Sequence, residues 1–324
     1  MKKFEMVYPT SLDRYLEIPW TLEYSSSDRI QKALDRMGKR GGGLVMLARG
    51  GYFITKTLTV PKNVTLSGMD REGTMLFVRD KNGDGWNMIE CEDNATVRDL
   101  RIRIEGRHAT VIKGKKNLTV SCVSVIATPY MKSFYCYGLG LDGAHMITAE
   151  GGKVLISDFY YFGKGHGIEI NGADSVLVED LRANSPETAL AVNNCGTVVA
   201  RGLIMMGKSE KSTPDEPDED GIIKNYMQDT RAAVKMTAAC VCVFDNCKNV
   251  DLSDIDVRDA RAGVAGVTVK GSDSVRIRNV YTEAVEHSVK TENCKDVKIE
   301  GVTVVRGEGV CSPDANASDV ITLY

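Results

Sequence analysis

The chain holds only four histidines in 324 residues, and three of them keep one spacing. His108, His166 and His287 each stand ten residues before an apolar residue that opens a recurring segment (Leu118, Val176 and Val297), and His145 stands nine before Val154. Imidazole titrates nearest neutrality, so a row of it suits proton transfer. Asp142, Lys164 and Glu187 stand one or two places ahead of the same column on three successive segments, adding two carboxylates and an amine. The expected acid and base of a glycosidic cleavage are Asp142 and Glu187. Two repeat units apart, their backbones would be separated by roughly 9 to 10 Å, nearer inverting than retaining geometry. His145 and His166 would tune or replace them. If the bond breaks instead by β-elimination beside a uronate carboxylate, Lys164 or a histidine would be the base. Any one of these residues, taken alone, can equally be a turn residue satisfied by solvent, and it is the cluster that carries the expectation.

Aromatic residues make up 6% of the chain, yet Tyr130, Phe134, Tyr135 and Tyr137 crowd one short stretch, and Tyr160, Tyr161 and Phe162 another. Sugar rings stack on such faces, so Tyr130, Tyr135 and Tyr137, with His108, are the expected substrate-binding residues. Phe159 and Tyr161 fall at apolar positions of their segment and are expected in the core.

What must position these groups is a repeat. Nine segments, beginning at Val64, Ala95, Leu118, Val154, Val176, Val198, Val250, Val275 and Val297, are apolar at their first, third and sixth positions and usually carry Gly, Asp or Asn at the fifth. Alternation within each is period two, which predicts strands, and the Gly/Asp/Asn column is where a left-handed residue would turn the chain. Upstream runs such as GIEING, ALAVNN and CVCVFDN predict a third strand. A second corner follows at Gly114, Gly172, Asn194, Asn246, Gly271 and Asn293. The basic step is 22 residues, which excludes an α-solenoid for want of 3.6-residue stripes and a propeller for want of length. An all-β, single-stranded parallel β-helix of about 22 residues per rung is the expected fold. Residues 1–25 would be an extended lead segment and 26–324 the β-helix domain.

Excess length over the rung falls at about 70 to 84, 127 to 141, 208 to 238 and near 258, always in the same connection. Such insertions wall a binding face, with the turns at 163–166 and 184–188 as its floor. Ahead of the rungs, Ser27 opens an amphipathic helix over 28–38 that Gly41-Gly42-Gly43 ends, a cap for the open solenoid. From this helix through KRGGGLVMLARGGYFITKTLTVPKNVTLSGM the chain resembles the opening of right-handed β-helix proteins of the pectate-lyase-like superfamily. With the rungs, the resemblance spans about residues 26 to 304 and implies a right-handed coil. For activity it implies polysaccharide lyases, glycosidases, epimerases or phage tailspikes. Gly165-His166-Gly167-Ile168 also resembles the polygalacturonase G-H-G-I segment, whose histidine supports catalytic aspartates, although no N-T-D or D-D pair and no R-I-K accompany it here.

The functional expectation is a carbohydrate-active enzyme cleaving glycosidic bonds, as a glycoside hydrolase. The alternatives are a lyase or epimerase acting on uronates and a non-catalytic glycan-binding, tailspike-like protein. A net charge of −3 with no long basic run argues against a nucleic-acid partner, and no apolar stretch is long enough for a membrane span. No secretory signal is evident at Met1-Lys2-Lys3-Phe4-Glu5, so the expected location is cytoplasmic, or extracellular or virion for a trimmed or phage-derived chain. The sequons at Asn63, Asn94, Asn117 and Asn316 then carry no glycan. Nine cysteines without metal spacing are expected as free thiols, with Cys195, Cys247 and Cys294 in one structural turn column. No cofactor is expected; the acidic run Pro214 to Asp220 could form a calcium loop, though a solvated loop suits its spacing better. A monomer is favoured over a homotrimer, with residues 305–318 folded back as a lid over the last rung because too few remain for another.

Overall fold

The computed structural model describes residues 4–9, 25–79, 86–105, 110–127, 145–163, 166–184, 188–207, 241–258, 264–313 and 315–323. They wind as a parallel β-helix with one helix. A fourteen-stranded sheet and a ten-stranded sheet run along the coil, their strands in parallel register. The unit starts share one column. Val154, Val176, Val198, Val250, Val275 and Val297 pair in succession, and the register of Thr65, Thr96, Thr119 and Leu155 extends that column back to Val64.

The repeat arises because every rung must bury the same face. The third positions, from Leu66 to Ile299, are fully buried, as are Phe159 and Tyr161. Between third and sixth positions the chain turns on one left-handed residue per rung: Asp99, Cys122, Asp158, Asp180, Asp254 and Asn279 have φ of 47 to 57°, and Gly202 and Gly301 have 68 and 67°. Asp and Asn tolerate this region because their short polar side chains bond locally, whereas other L residues lose about 1–2 kcal/mol there. The second corner is left-handed at Gly172, Asn194, Asn246, Gly271 and Asn293.

Three expectations for the rungs fail. Gly114 is not left-handed; Asn117, at φ 61°, takes that role, and glycine is needed at 114 because a Cβ would lie 2.6 Å from Leu118 Cδ2. Met69, expected inside, is 51% exposed, because the first unit breaks after Gly68 and the separate strand Thr74–Arg79 takes over its second half beside Thr96–Glu105. Part of the expected insertion at 70 to 84 is thus sheet rather than wall. Finally, residues 305–318 form no lid. Glu308–Cys311 pairs with His287–Glu292, and Ala315–Leu323 pairs with Val297–Val305, setting Ala315 beside Val297 after eighteen residues. A shorter turn makes the extra rung fit.

At the other end, helix Ser27–Lys39 buries Ile30, Ala33, Leu34 and Met37 and packs on the first strands of both sheets. Ser27 does not cap it. Ser26 holds the N-cap position, while Ser27 Oγ accepts from the backbone N–H of Thr55 at 3.0 Å and ties the helix to the first rung. Phe4–Val7, within the lead segment, adds a parallel strand beside Gly43–Leu47. The three sequon asparagines at strand starts form a ladder: Asn94 Nδ2 donates to Asn63 Oδ1 at 2.9 Å and Asn117 Nδ2 to Asn94 Oδ1 at 2.8 Å. Cys195, Cys247 and Cys294 are free and buried, and their thiols lie against backbone carbonyl oxygens. Among the described residues no helix is long and apolar enough to cross a membrane.

The corner column yields a test. Asp180→Val should lower stability by about 1–2 kcal/mol, because a β-branched residue is strained at φ 53°. Asp180→Gly should stay near the parent in denaturant melts, since glycine adopts that torsion freely.

Candidate functional site

Five short strands of the ten-stranded sheet start with a partly exposed residue, continue with a buried pair, and then alternate. His145 precedes Met146 and Ile147, His166 precedes Gly167 and Ile168, Thr188 precedes Ala189 and Leu190, and His287 precedes Ser288 and Val289. The opening residue therefore stands at the rim where the incoming turn meets the ten-stranded sheet. Glycine is required after His166, since a Cβ on Gly167 would come within 2.1 Å of both the Ala189 carbonyl oxygen and Tyr161 Oη. The close approach of that core tyrosine fixes where His166 begins.

His145 and His166 pair directly in the ladder. The single-residue offset in the sequence vanishes because Ala149 pairs with Ile170 and Lys153 with Ser175, leaving three residues in one turn where the next has four. Their rings stack with centroids 4.9 Å apart and planes 23° apart. Glu169, on the outward side of the His166 strand, meets His145: its Oε2 lies 2.7 Å from His145 Nε2, and its Oε1 accepts from Asn171 Nδ2 at 3.0 Å. The contact of Nε2 with Glu169 fixes the orientation of the His145 imidazole, as a carboxylate does for a general base. His287 keeps the column but lies four strands further along the sheet, about 19 Å away at the spacing of neighbouring strands. It contacts Glu308 instead, Nδ1 to Oε2 at 3.1 Å, and is no part of this cluster.

Of the expected catalytic residues the structure thus brings together His145 and His166. Asp142, Lys164 and Glu187 lie outside the described residues, as do His108, Tyr130, Tyr135, Tyr137 and the acidic run Pro214 to Asp220. Among the described residues no group of three His, Cys, Asp or Glu could hold a metal ion. Glu169 was missed. Its signal was present in GIEING, where alternation between Ile168 and Ile170 turns it outward beside the histidine column.

The chain folds as the parallel β-helix that its repeat predicts. No family model and no curated protein matches it. Among solved structures it is similar to a mannuronan C-5 epimerase A-module from Azotobacter vinelandii, at 13% identity over 93% of this chain and 96% of that one, with a TM-score of 0.41. An exopolygalacturonase from Thermotoga maritima aligns at 10% identity over 93% and 88% of the two chains, with a TM-score of 0.48. A capsular polysaccharide depolymerase tailspike of Acinetobacter baumannii bacteriophage Fri1 aligns at 12% identity over 98% of this chain and 63% of that one, with a TM-score of 0.39. These likenesses concern the winding of the chain and not its site.

The His145 and Glu169 side chains are 24% and 35% exposed, so their contact contributes little to stability. Glu169→Gln should leave the melting temperature within about 4 °C of the parent. The same change should move the imidazole nitrogen resonances of His145, with those of His287 unchanged. Unmoved His145 signals in nitrogen-resolved NMR would dispose of the contact.

Proposed function

We propose that the protein is a carbohydrate-active enzyme that cleaves glycosidic bonds of a polysaccharide or oligosaccharide lying across the rungs on the His145 face. The observation that carries this is the stacked His145–His166 pair on adjacent rungs, with Glu169 against His145. It places two proton-transfer groups one strand spacing apart along the direction in which a glycan crossing the rungs would run. Hydrolysis is the reading tied to Asp142 and Glu187: one carboxylic acid protonates the leaving oxygen while the other carboxylate takes a proton from the attacking water.

One feature of the geometry favours elimination as a second reading. Glu169 is engaged by His145 and Asn171, an arrangement that suits orienting an imidazole better than attacking a sugar. In that route His145 takes the proton from the carbon next to a uronate carboxylate. The carbon–oxygen bond to the leaving sugar then breaks, the leaving oxygen is protonated, and a carbon–carbon double bond remains in the product. His166 is adjacent to supply that proton.

A panel of neutral and uronate polysaccharides, assayed for reducing ends and for ultraviolet-absorbing unsaturated products, separates the routes. Reducing ends without absorbance identify the hydrolase, and both together the lyase. On the substrate that is cut, His166→Ala should lower kcat/KM by about 10²- to 10⁴-fold. Glycan binding with no product from any polymer would mark a tailspike-like binding protein instead and overturn the proposal.

A further inference from the structure

Beyond each left-handed corner the long strands turn a different set of side chains outward. There the ladder aligns Arg101, Ser124, Tyr160 and Arg182 on four successive strands. Together with Arg71, Glu72 and Asp158 they line a cavity of about 330 Å³, within the size range of small-ligand clefts. It lies on the fourteen-stranded sheet, whereas the histidine pair lies on the ten-stranded one. The strand that supplies Tyr160 ends at Gly163, three residues before His166, so both places flank one turn.

The charges and hydrogen-bonding groups define what fits. Arg71 Nη1 donates to Asp158 Oδ1 at 2.7 Å, and Arg101 pairs with Glu72, so two cations are matched by two anions. Arg182 is exposed and pairs with no carboxylate among the described residues, leaving the lining with one net positive charge. Two buried donors on the wall are unsatisfied. Ser124 is 4% exposed and its Oγ has no partner among the described residues, and neither has Arg101 Nε. A buried hydroxyl or N–H without a partner is costly, so both are poised for acceptors that a ligand brings. Tyr160 adds an aromatic ring to the same lining.

We infer that this cavity is a saccharide site for a singly charged acidic sugar unit. The sugar carboxylate lies on Arg182, its hydroxyl oxygens accept from Ser124 Oγ and Arg101 Nε, and its ring lies against Tyr160. A neutral sugar leaves the Arg182 charge unused, and a dianion exceeds the single charge available. The site is distinct from the cleavage centre and does not depend on which bond is broken there.

NMR titration of the full chain with D-glucuronate, D-galacturonate and D-glucose tests it without turnover. Saturable binding of a uronate, and not of glucose, is expected. Arg182→Met should weaken it by about tenfold or more and Ser124→Ala by a smaller factor, while Glu169→Gln leaves it unchanged. Arg182 is exposed, so its variant should melt with the parent. Absence of binding by both uronates, equal binding of glucose, or parental affinity in Arg182→Met would overturn the inference. Failure of cleavage in the polysaccharide panel would bear on the histidine face alone.

Discussion

One backbone torsion, repeated rung after rung, governs this molecule. A single left-handed residue turns each long strand without ending its ladder, so the same four or five residues on either side meet their counterparts on the next rung. An ordinary L residue resists that torsion, and Asp, Asn and Gly recur at the corner for that reason. Once the corner is fixed, alternation decides which side chains point in and which point out. The interior becomes stacked Val, Ile and Leu, while the exterior becomes rows whose members stand one strand spacing apart. The histidine pair belongs to one such row and the arginine cavity to another.

The outer rows differ in energetic weight. Arg201 with Glu179, Lys295 with Asp273 and Arg278 with Asp251 pair across rungs at exposed positions, where ion pairs contribute little. Asp296 beside Arg276 and Glu292 beside Lys290 and Lys270 are held below the usual carboxylate range, chiefly by hydrogen bonds from those cations. Such contacts damp like-charge repulsion along a stack of identical rungs. Stability comes chiefly from the buried interior; the asparagine ladder, whose amides bond along the stack, is exposed like the ion pairs.

How much of this the sequence discloses follows from what each position must satisfy. Inward positions have one requirement, so Leu66, Val97, Val120 and their successors reveal the rung plainly. Turn lengths have no such requirement. His145 stands one place off the column in the sequence until a shorter turn restores it, and the last rung breaks the repeat because Ala315 follows Val297 by eighteen residues instead of 22. Glycine carries two meanings that composition does not separate. Gly172 supplies a left-handed torsion, whereas Gly114 only makes room for Leu118. The arginine cavity is illegible for another reason. Arg71 precedes a strand that no unit pattern predicts, and Arg101 and Arg182 look like ordinary surface charge until the ladder gathers them.

The two candidate faces also differ in what they demand of the fold. The His145–Glu169 contact is half-exposed and nearly neutral for stability, so its placement requires only the register that the core already enforces. Ser124 is different: its hydroxyl is buried and unpaired in a row where Ala or Val would pack at no such cost. Natural chains tolerate a local penalty of that kind where a ligand repays it, which sets the cavity apart from the ion-pair rows around it. The strand carrying Tyr160 ends at Gly163 and the next begins at His166, so a glycan unit held in the proposed site would sit beside the edge over which a longer chain reaches the histidine pair.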